Sequence, residues 1–412
     1  MRYVPHTEKD QQALLAVIGS ASLEKLFAGI PEQARIKKEL ALPAPLSEPA
    51  LLDELDKTSR SNRRSSFLGG GIYDHFIPSI VKHLIGRSEF YTAYTPYQAE
   101  ASQGILQAIY EYQTMICSLT GMDVANASMY DGATALVEAA FLACRVTGRK
   151  EIVVSSAVHP HYRAVLKTYC QAADLTLKES PHDPKTGLTT RDACFILQQP
   201  NFFGCIENVA GLAEKIHANG SLFIVSADPI SLGLLKAPGD YGADVVVGEG
   251  QALGNPQSFG GPALGIFAAK KALVRQMPGR IVGATVDSEG KRGFVLTLST
   301  REQHIRRERA TSNICSNEAL AALAATIYLS AMGRQGLRKV AELCLQKSNY
   351  LKKKLGGKTF FSAPTFKEFV VKTDKKVGLD LSVYSPGLKG LRLLCVTELA
   401  NKEALDRLAA TL

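Results

Sequence analysis

Hydrophobic positions along the 412-residue chain follow different periods in different stretches, and the changes of period organise the molecule. The first 65 residues read as short helices. Asp10–Ile18 and Ser22–Phe27 carry capping residues and helical apolar spacing, and Asp53–Thr58 follows a proline-rich stretch from Pro43 to Pro49. Gly69-Gly70-Gly71 then breaks the pattern. Ala99–Leu119 resumes it as a long helix, with Ile105, Leu106, Ile109, Tyr112, Ile116 and Leu119 on one face.

From about Ala125 the texture changes. Helical stretches at Gly132–Val146, Pro160–Ala173 and Val209–Ala218 alternate with short apolar runs of strand length at Ile152–Ser156, Leu175–Leu177, Cys194–Leu197 and Leu222–Val225. Two further runs, Val245–Val247 and Leu264–Phe267, complete the set. Continuous apolar strands alternating with helices predict a mostly parallel sheet covered on both faces. After Thr311 the chain reads as helix from Glu318 to Leu355, then as short strands near Phe369–Val371 and Leu391–Leu393. Three regions are therefore expected: an N-terminal helical segment at 1–65, a large α/β domain at 66–315, and a small C-terminal α+β domain at 316–412.

Composition narrows the partners. With 46 % hydrophobic and 21 % charged residues the chain is globular rather than disordered. The formal net charge of +9 spreads over Arg60/Arg63/Arg64, Arg301/Arg306/Arg307/Arg309 and Lys352-Lys353-Lys354, with acids between them. That pattern fits a mildly cationic surface or a complement to an acidic partner. With no tryptophan and 7 % aromatic residues there is no stacking platform for single-stranded nucleic acid, and no nucleic-acid partner is expected. The eight cysteines include no C-x-x-C pair, and residues 1–10 lack the apolar core of a signal peptide. The longest apolar stretch, Ala319–Met332, is interrupted by Thr326, Tyr328 and Ser330, short of a membrane span. A cytoplasmic protein without a membrane partner is expected.

Five constellations could carry chemistry. Ser128 to Thr134, with Asp131 and Thr134 at a helix start, is either a phosphate-binding helix terminus or an ordinary N-cap. Asp228 follows a buried strand, where α/β sheets place ligands; it could hold a protonated heterocyclic nitrogen, or cap the next turn. His159-Pro160-His161 lacks a nearby carboxylate or cysteine for a metal, so His159 fits a ring over a planar cofactor or a capping residue. The glycine-rich stretch Gly248–Gly265 demands close backbone approach or positive φ, and holds no lysine for an imine. Tyr94, Thr95, Tyr97, Gln98 and Glu100 concentrate aromatic, hydroxyl, amide and acid groups before a helix, a binding loop or a tyrosine-rich packing turn.

These motifs, in this order, resemble the glycine cleavage system P-protein (glycine decarboxylase) family, at the alpha-type subunit homologous to the N-terminal half of the single-chain enzyme. The resemblance covers essentially the whole chain. It rests on Phe67–Gly71, Tyr94–Gln98, Asn126–Thr134, Gly261–Gly265 and the run from Arg301 to Cys315, with departures at Ala99 and Glu249 where the family usually has proline and aspartate. It implies a fold-type I architecture built around pyridoxal phosphate, and a partner, the beta-type subunit 2, in an αβ or α2β2 assembly. It further implies that the complex decarboxylates glycine and transfers the aminomethyl group to the lipoyl group of H-protein. The cofactor lysine would belong to the partner. Gln251 takes its place here, and an amide cannot form an imine. Asp131, Thr134, His159, Asp228 and Gln251 would then be a remnant pocket, and the Tyr94–Gln103 loop would complete the partner's site. A self-sufficient transferase would instead need Lys270 or Lys271, which follow a strand, and a third possibility is a pure scaffold.

Overall fold

A computed structural model of the chain describes residues 5–36, 38, 40–61, 67–180, 189–314 and 316–412. The expected boundaries at 65/66 and 315/316 touch residues outside this set, to which Arg63, Arg64 and Cys315 belong. The chain divides into two compact units, Met1–Arg64 and Ser65–Leu412.

In the first unit, helix α1 (Glu8–Ile18) opens on a capping box in which Thr7 and Asp10 satisfy each other's backbone amides, and it ends at Gly19 in the left-handed region. Helix α2 (Glu48–Ser61) starts five residues before the expected Asp53. The reason is Pro49, which reads as a breaker but sits in the first turn, where its missing N–H has no helical partner to lose.

The second unit begins with α3 (Ser79–Ile85) and α4 (Gln103–Thr120). Residues Ala99–Ala101 form a separate 3-10 turn, so α4 starts later than the expected Ala99. Next come β1 (Val124–Ala125), α5 (Gly132–Thr147), β2 (Glu151–Ser155), α6 (Pro160–Ala172), β3 (Thr176–Ser180), β4 (Asp192–Gln199), α7 (Leu212–Ala218), β5 (Leu222–Ala227), β6 (Val245–Glu249) and β7 (Gly265–Ala269). The seven strands form one sheet in the order β1-β7-β6-β5-β4-β2-β3. Strands β2 to β6 are mutually parallel, and β7 runs antiparallel to both β6 and β1. The order reverses between β2 and β4, a switch point of the kind at which open α/β sheets gather ligands beyond their strand ends.

The continuous apolar strands are explained by two packed faces. Cys194 and Ile196 of β4 join the core built by Leu136 of α5 and Leu166 of α6. Their neighbours Phe195 and Leu197 join the opposite core, with Ile216 of α7 and Tyr328 of the long helix α8 (Ala319–Leu355). That helix contains a break at Gly333, whose φ of 58° is open to glycine. Between β7 and α8 lies an unanticipated hairpin, β8 (Ile281–Val286) and β9 (Arg292–Thr297). Two glutamines of α4 hold it: Gln113 exchanges both hydrogen bonds with the Val282 backbone, and Gln103 does the same with Phe294.

The chain ends in a three-stranded antiparallel sheet, β10 (Glu368–Lys372), β11 (Leu379–Asp380) and β12 (Leu391–Cys395), and in α9 (Lys402–Thr411). Helix α9 went unanticipated although Asn401 caps it through the Ala404 amide. Among the described residues, no helix is long and apolar enough to cross a membrane.

Leu136 is fully buried on α5, the helix whose first turn forms part of the site below, whereas Val146 on the same helix is exposed. Leu136→Ala is expected to cost about 2–5 kcal/mol and Val146→Ala within about 0.5 kcal/mol, as read by urea denaturation.

Candidate functional site

The carboxyl ends of β2, β4, β5 and β6 deliver His159, Gln198, Asp228 and Glu249 to one place, facing Gly70, Gly71 and Tyr73 from the segment before α3. Lys367 and Glu368, at the start of β10, close it from the other side. Of the five remnant-pocket candidates, His159 and Asp228 line this place with Glu249; the Gln251 backbone amide donates to Glu249, and Asp131 and Thr134 sit beside Gly132, whose amide does the same.

Asp228 follows β5 because the strand's apolar run ends there. One carboxylate oxygen accepts from the Ile230 amide at 3.0 Å, as a turn cap does, and the other is 2.8 Å from the Lys367 ammonium. Lys367 is 1 % exposed. Its Nζ also lies 3.1 Å from His75 Nε2 and 3.5 Å from the centre of the Tyr73 ring. Burial opposes the ammonium's charge, but Asp228 together with the nearby thiols of Cys395 and Cys344 raises the group above an ordinary lysine. The line of contacts continues through His75 Nδ1 to Glu398 at 2.7 Å. Burial and Lys367 keep His75 neutral, which makes Nδ1–H the donor and Nε2 the acceptor. Burial would raise Glu398, but the hydrogen bonds from His75 and the Phe76 amide hold its carboxyl down at about 2. His75, Cys344 and Glu398 bring three possible metal ligands together, yet both imidazole nitrogens are already engaged and the ammonium lies alongside.

Glu249, which ends β6, reaches the start of α5. Its carboxylate accepts from the amides of Gly132 at 3.1 Å, Gln251 at 3.0 Å and Leu264 at 2.9 Å, while burial pushes it up to about 7. Asp131 caps the same helix, accepting from the Thr134 amide and hydroxyl, each at 2.7 Å. The Tyr162 hydroxyl closes the remaining space: a Cβ on Gly132 would lie 2.3 Å from it. His159 caps α6 through Nδ1, which accepts from the His161 amide, so Nε2–H donates to the Gly70 carbonyl at 2.7 Å. Its ring packs at a tilt against Tyr162, 5.0 Å between centres, and burial lowers its pKa to about 4. Gln251 is 2 % exposed; its amide spans the Tyr73 N–H and carbonyl and also donates to the Asn255 carbonyl at 2.6 Å.

The glycine-rich stretches are close-approach devices. A Cβ on Gly248 would meet the Ala227 carbonyl at 2.4 Å, and one on Gly69 would meet Glu368 at 2.0 Å. Glu368 is pushed up to about 7 by burial, and accepts from Gly70 N at 2.7 Å and the Tyr73 hydroxyl at 2.8 Å. What remains between these groups is a cavity of about 40 Å³. A cofactor or drug-sized ligand needs roughly 300 Å³ or more. The residues present do not fit pyridoxal phosphate in this arrangement: its acidic partner is taken, its helix terminus is covered, and its volume is filled. Tyr73, His75, Lys367, Glu368 and Glu398 were not anticipated, since none lies in a motif and Lys367-Glu368 precedes an ordinary apolar strand. The one available signal was a Lys-Glu pair ahead of the run Phe369-Val-Val371.

The loop candidates lie elsewhere. Tyr94, Tyr97, Gln98 and Glu100 are exposed and Thr95 is half-buried. Tyr97 bonds Arg280 at 3.0 Å and packs on His304 at 5.3 Å. Tyr94 and Thr95, with Tyr91, Asn317 and Leu320, line a mostly apolar cavity of about 220 Å³. Among the basic clusters, Arg301 is buried, donating to the Met277, Gly279 and Leu298 carbonyls, whereas Arg306 and Arg307 are exposed.

The family model described as glycine cleavage system P-protein matches residues 1–395. The chain belongs to that family. It is 50 % identical over 442 aligned positions to a probable glycine dehydrogenase (decarboxylating) subunit 1 of Desulforamulus reducens, covering 100 % of this chain and 99 % of the relative. The homologue of the same description from Shouchella clausii is 52 % identical, covering 99 % and 98 %. A crystal structure of glycine decarboxylase (P-protein) of the glycine cleavage system, in inhibitor-bound form, superposes with a TM-score of 0.84 at 44 % identity over 100 % of this chain and 99 % of that one. A sphingosine-1-phosphate lyase from Burkholderia pseudomallei, at 12 % identity, 93 % and 92 % coverage and a TM-score of 0.62, shares the fold alone. The expected fold-type I α/β architecture is therefore the one this P-protein family member has.

Glu368 generates a testable pH dependence. Its folded-state pKa lies above that of an unfolded glutamate, so its contribution to stability is present below about pH 4.5 and is lost as pH rises through about 7. Wild-type melting temperature should fall between pH 5 and pH 8, and Glu368→Gln should melt with a visibly smaller fall. An identical fall in both proteins would show that this carboxyl does not carry the effect.

Proposed function

We propose that this P-protein family member is the noncatalytic but required subunit of a glycine-decarboxylating complex. In this reading the complex removes CO2 from glycine and passes the aminomethyl group to the lipoyl group of H-protein. A lysine of the partner, the beta-type subunit 2, holds the pyridoxal phosphate that accepts the carbanion's electrons. The pairing is αβ or α2β2, and the compartment is the cytoplasm. The relatives' designation as subunit 1 of glycine dehydrogenase (decarboxylating) supports the partnership.

The observation that carries the noncatalytic role is the state of the amino groups nearest the remnant pocket. Gln251 presents an amide, and Lys367, the lysine that does lie there, is a charged, buried ion-pair partner and so no nucleophile. Lys270, the candidate of the self-sufficient reading, follows β7 and pairs with Asp244 at 2.6 Å. Ala269 lies opposite Val245, the first residue of β6, so Lys270 sits at the end of the sheet away from Asp228 and Glu249. Lys271 continues from it, with its amide on Asp123. Our division of the second unit into a large domain at 66–315 and a small one at 316–412 draws support from the core that β10, β12 and α9 build with the end of α8, whereas the first half of α8 packs into the core of the main sheet.

The loop Tyr94, Thr95, Tyr97, Gln98 and Glu100 is our candidate for completing the partner's site, since all but the half-buried Thr95 are exposed and an apolar cavity adjoins it. Gln98→Ala or Glu100→Ala should lower glycine–bicarbonate exchange by the reconstituted complex about tenfold to a hundredfold, the worth of one hydrogen bond to a charged group. Assembly, followed by sedimentation, should be unchanged. Full activity in both assembled variants would favour the scaffold reading.

Arg306 and Arg307 offer an exposed basic surface to an acidic carrier protein. Charge reversal at both should slow H-protein association by about tenfold at low salt, and the difference should shrink toward physiological ionic strength, where the Debye length is about 8 Å. Stopped-flow association rates that do not respond to salt would exclude this surface.

A further inference from the structure

We propose that the chain fills its own cofactor pocket with matched internal charges. The Lys367 ammonium stands on Asp228, where a protonated ring nitrogen would stand, and the Glu249 carboxylate stands on the first amide of α5, where a phosphate would stand. This rests on the noncatalytic reading above and goes beyond it: loss of the imine-forming lysine is one difference, and the occupied subsites are a second, independent one.

Three observations carry the inference. The polarities match: the cation faces the acid at 2.8 Å, and a carboxyl oxygen of Glu249 accepts from the helix N-terminus at 3.1 Å. The space matches, because Tyr162 covers Gly132 to within 2.3 Å of a would-be Cβ and about 40 Å³ is left between the groups. The supports match, because each stand-in is held on several sides. Lys367 is held by Asp228, His75 and the Tyr73 ring, and Glu249 by the amides of Gly132, Gln251 and Leu264. An internal ligand of this kind competes at an effectively unlimited local concentration. Any outside ligand binds only the fraction of molecules in which the internal groups have swung away, and its apparent affinity falls by that fraction.

The test uses the full complex, with the partner's cofactor in place, and pyridoxine 5′-phosphate as a probe that has the ring nitrogen and phosphate but no aldehyde. Equilibrium dialysis should find no additional equivalent bound to wild type or to Gln251→Lys. It should find one additional equivalent per chain in the opened variant Lys367→Ala/Glu249→Ala/Tyr162→Ala, which removes the charges and clears the space together, with affinity at least about tenfold above wild type. Uptake of an additional equivalent by the wild-type complex would overturn the proposal, as would an opened variant that assembles normally and still binds none. If the opened variant does not assemble, Gln251→Lys decides through a second measurement: supply of pyridoxal phosphate, borohydride reduction and peptide mapping. Stoichiometric pyridoxyl-lysine at position 251 would overturn the proposal, and its absence would uphold it. Pyridoxyl-lysine on the wild-type chain would instead overturn the noncatalytic reading, so the two failures are told apart.

Discussion

The ion pair between Lys367 and Asp228 is the contact on which the arrangement of this molecule depends. It joins the first strand of the C-terminal sheet to the carboxyl edge of the main sheet, out of contact with solvent at the ammonium end. Two charges taken out of water are expensive, and their mutual attraction offsets that cost only when the remaining hydrogen-bond capacity is also used. Here it is used. The ammonium has the imidazole of His75 and the Tyr73 ring as further partners, and His75 passes the polarity on to Glu398, beyond the end of β12. The result is a run of alternating acceptor and donor groups, Asp228, Lys367, His75 and Glu398, crossing between parts of the chain that are far apart in sequence. Removing any one member takes a hydrogen-bond partner from each buried neighbour, typically worth about 1–3 kcal/mol per group.

That dependence explains why the glycines ahead of α3 are packed as they are. The Gly70 amide can reach Glu368 and its carbonyl can reach His159 because Gly69 has no side chain to push β10 away. The motif Phe67–Gly71 thus serves the same junction as the ion pair, and Tyr73 and Gln251 continue it toward the Gly248–Gly265 loop. Glycine density here reflects the approach of three backbone segments to one another, and the same density in an open pocket would reflect approach to a ligand.

Much of the architecture was legible from periodicity, because Cys194–Leu197 of β4 and Leu222–Val225 of β5 pack alternately into one of two cores and leave an uninterrupted apolar run. The hairpin of β8 and β9 was not legible for the converse reason. Val286 is exposed while Ile281 and Val282 are buried in succession, and the hairpin's position depends on side-chain amides of Gln103 and Gln113 that no apolar pattern reports. Helix α2 was shortened in the sequence reading by a proline that proved to be inside its first turn. Around the site, Asp131, His159 and Asp228 stood out locally at a helix start or beyond a strand end, and Gln251 through the family resemblance. Lys367, Glu368 and His75 act through contacts spanning roughly 140 to 300 residues, and a local reading has no access to those.

The distinction between a lost lysine and a filled pocket bears on how such a chain can remain a faithful partner. A sheet whose carboxyl edge held a vacant, charged cavity would carry an unpaired Asp228 and the bare amides of α5, both costly once buried. It would also lose one of the contacts that hold β10 against the main sheet, leaving that task to the backbone hydrogen bonds of Ile206 with Pro364 and of Phe366 with Gly204. Internal groups of the right sign remove both difficulties at once. They satisfy the polar atoms left behind, and they hold the C-terminal strands in one register on the large sheet without a dissociable ligand. A subunit whose proposed task is to present an outer loop to a neighbour's active centre needs that rigidity more than it needs chemistry of its own. Positional error in a loop is transmitted directly to the groups it presents, and catalytic geometry tolerates only about half an ångström of it.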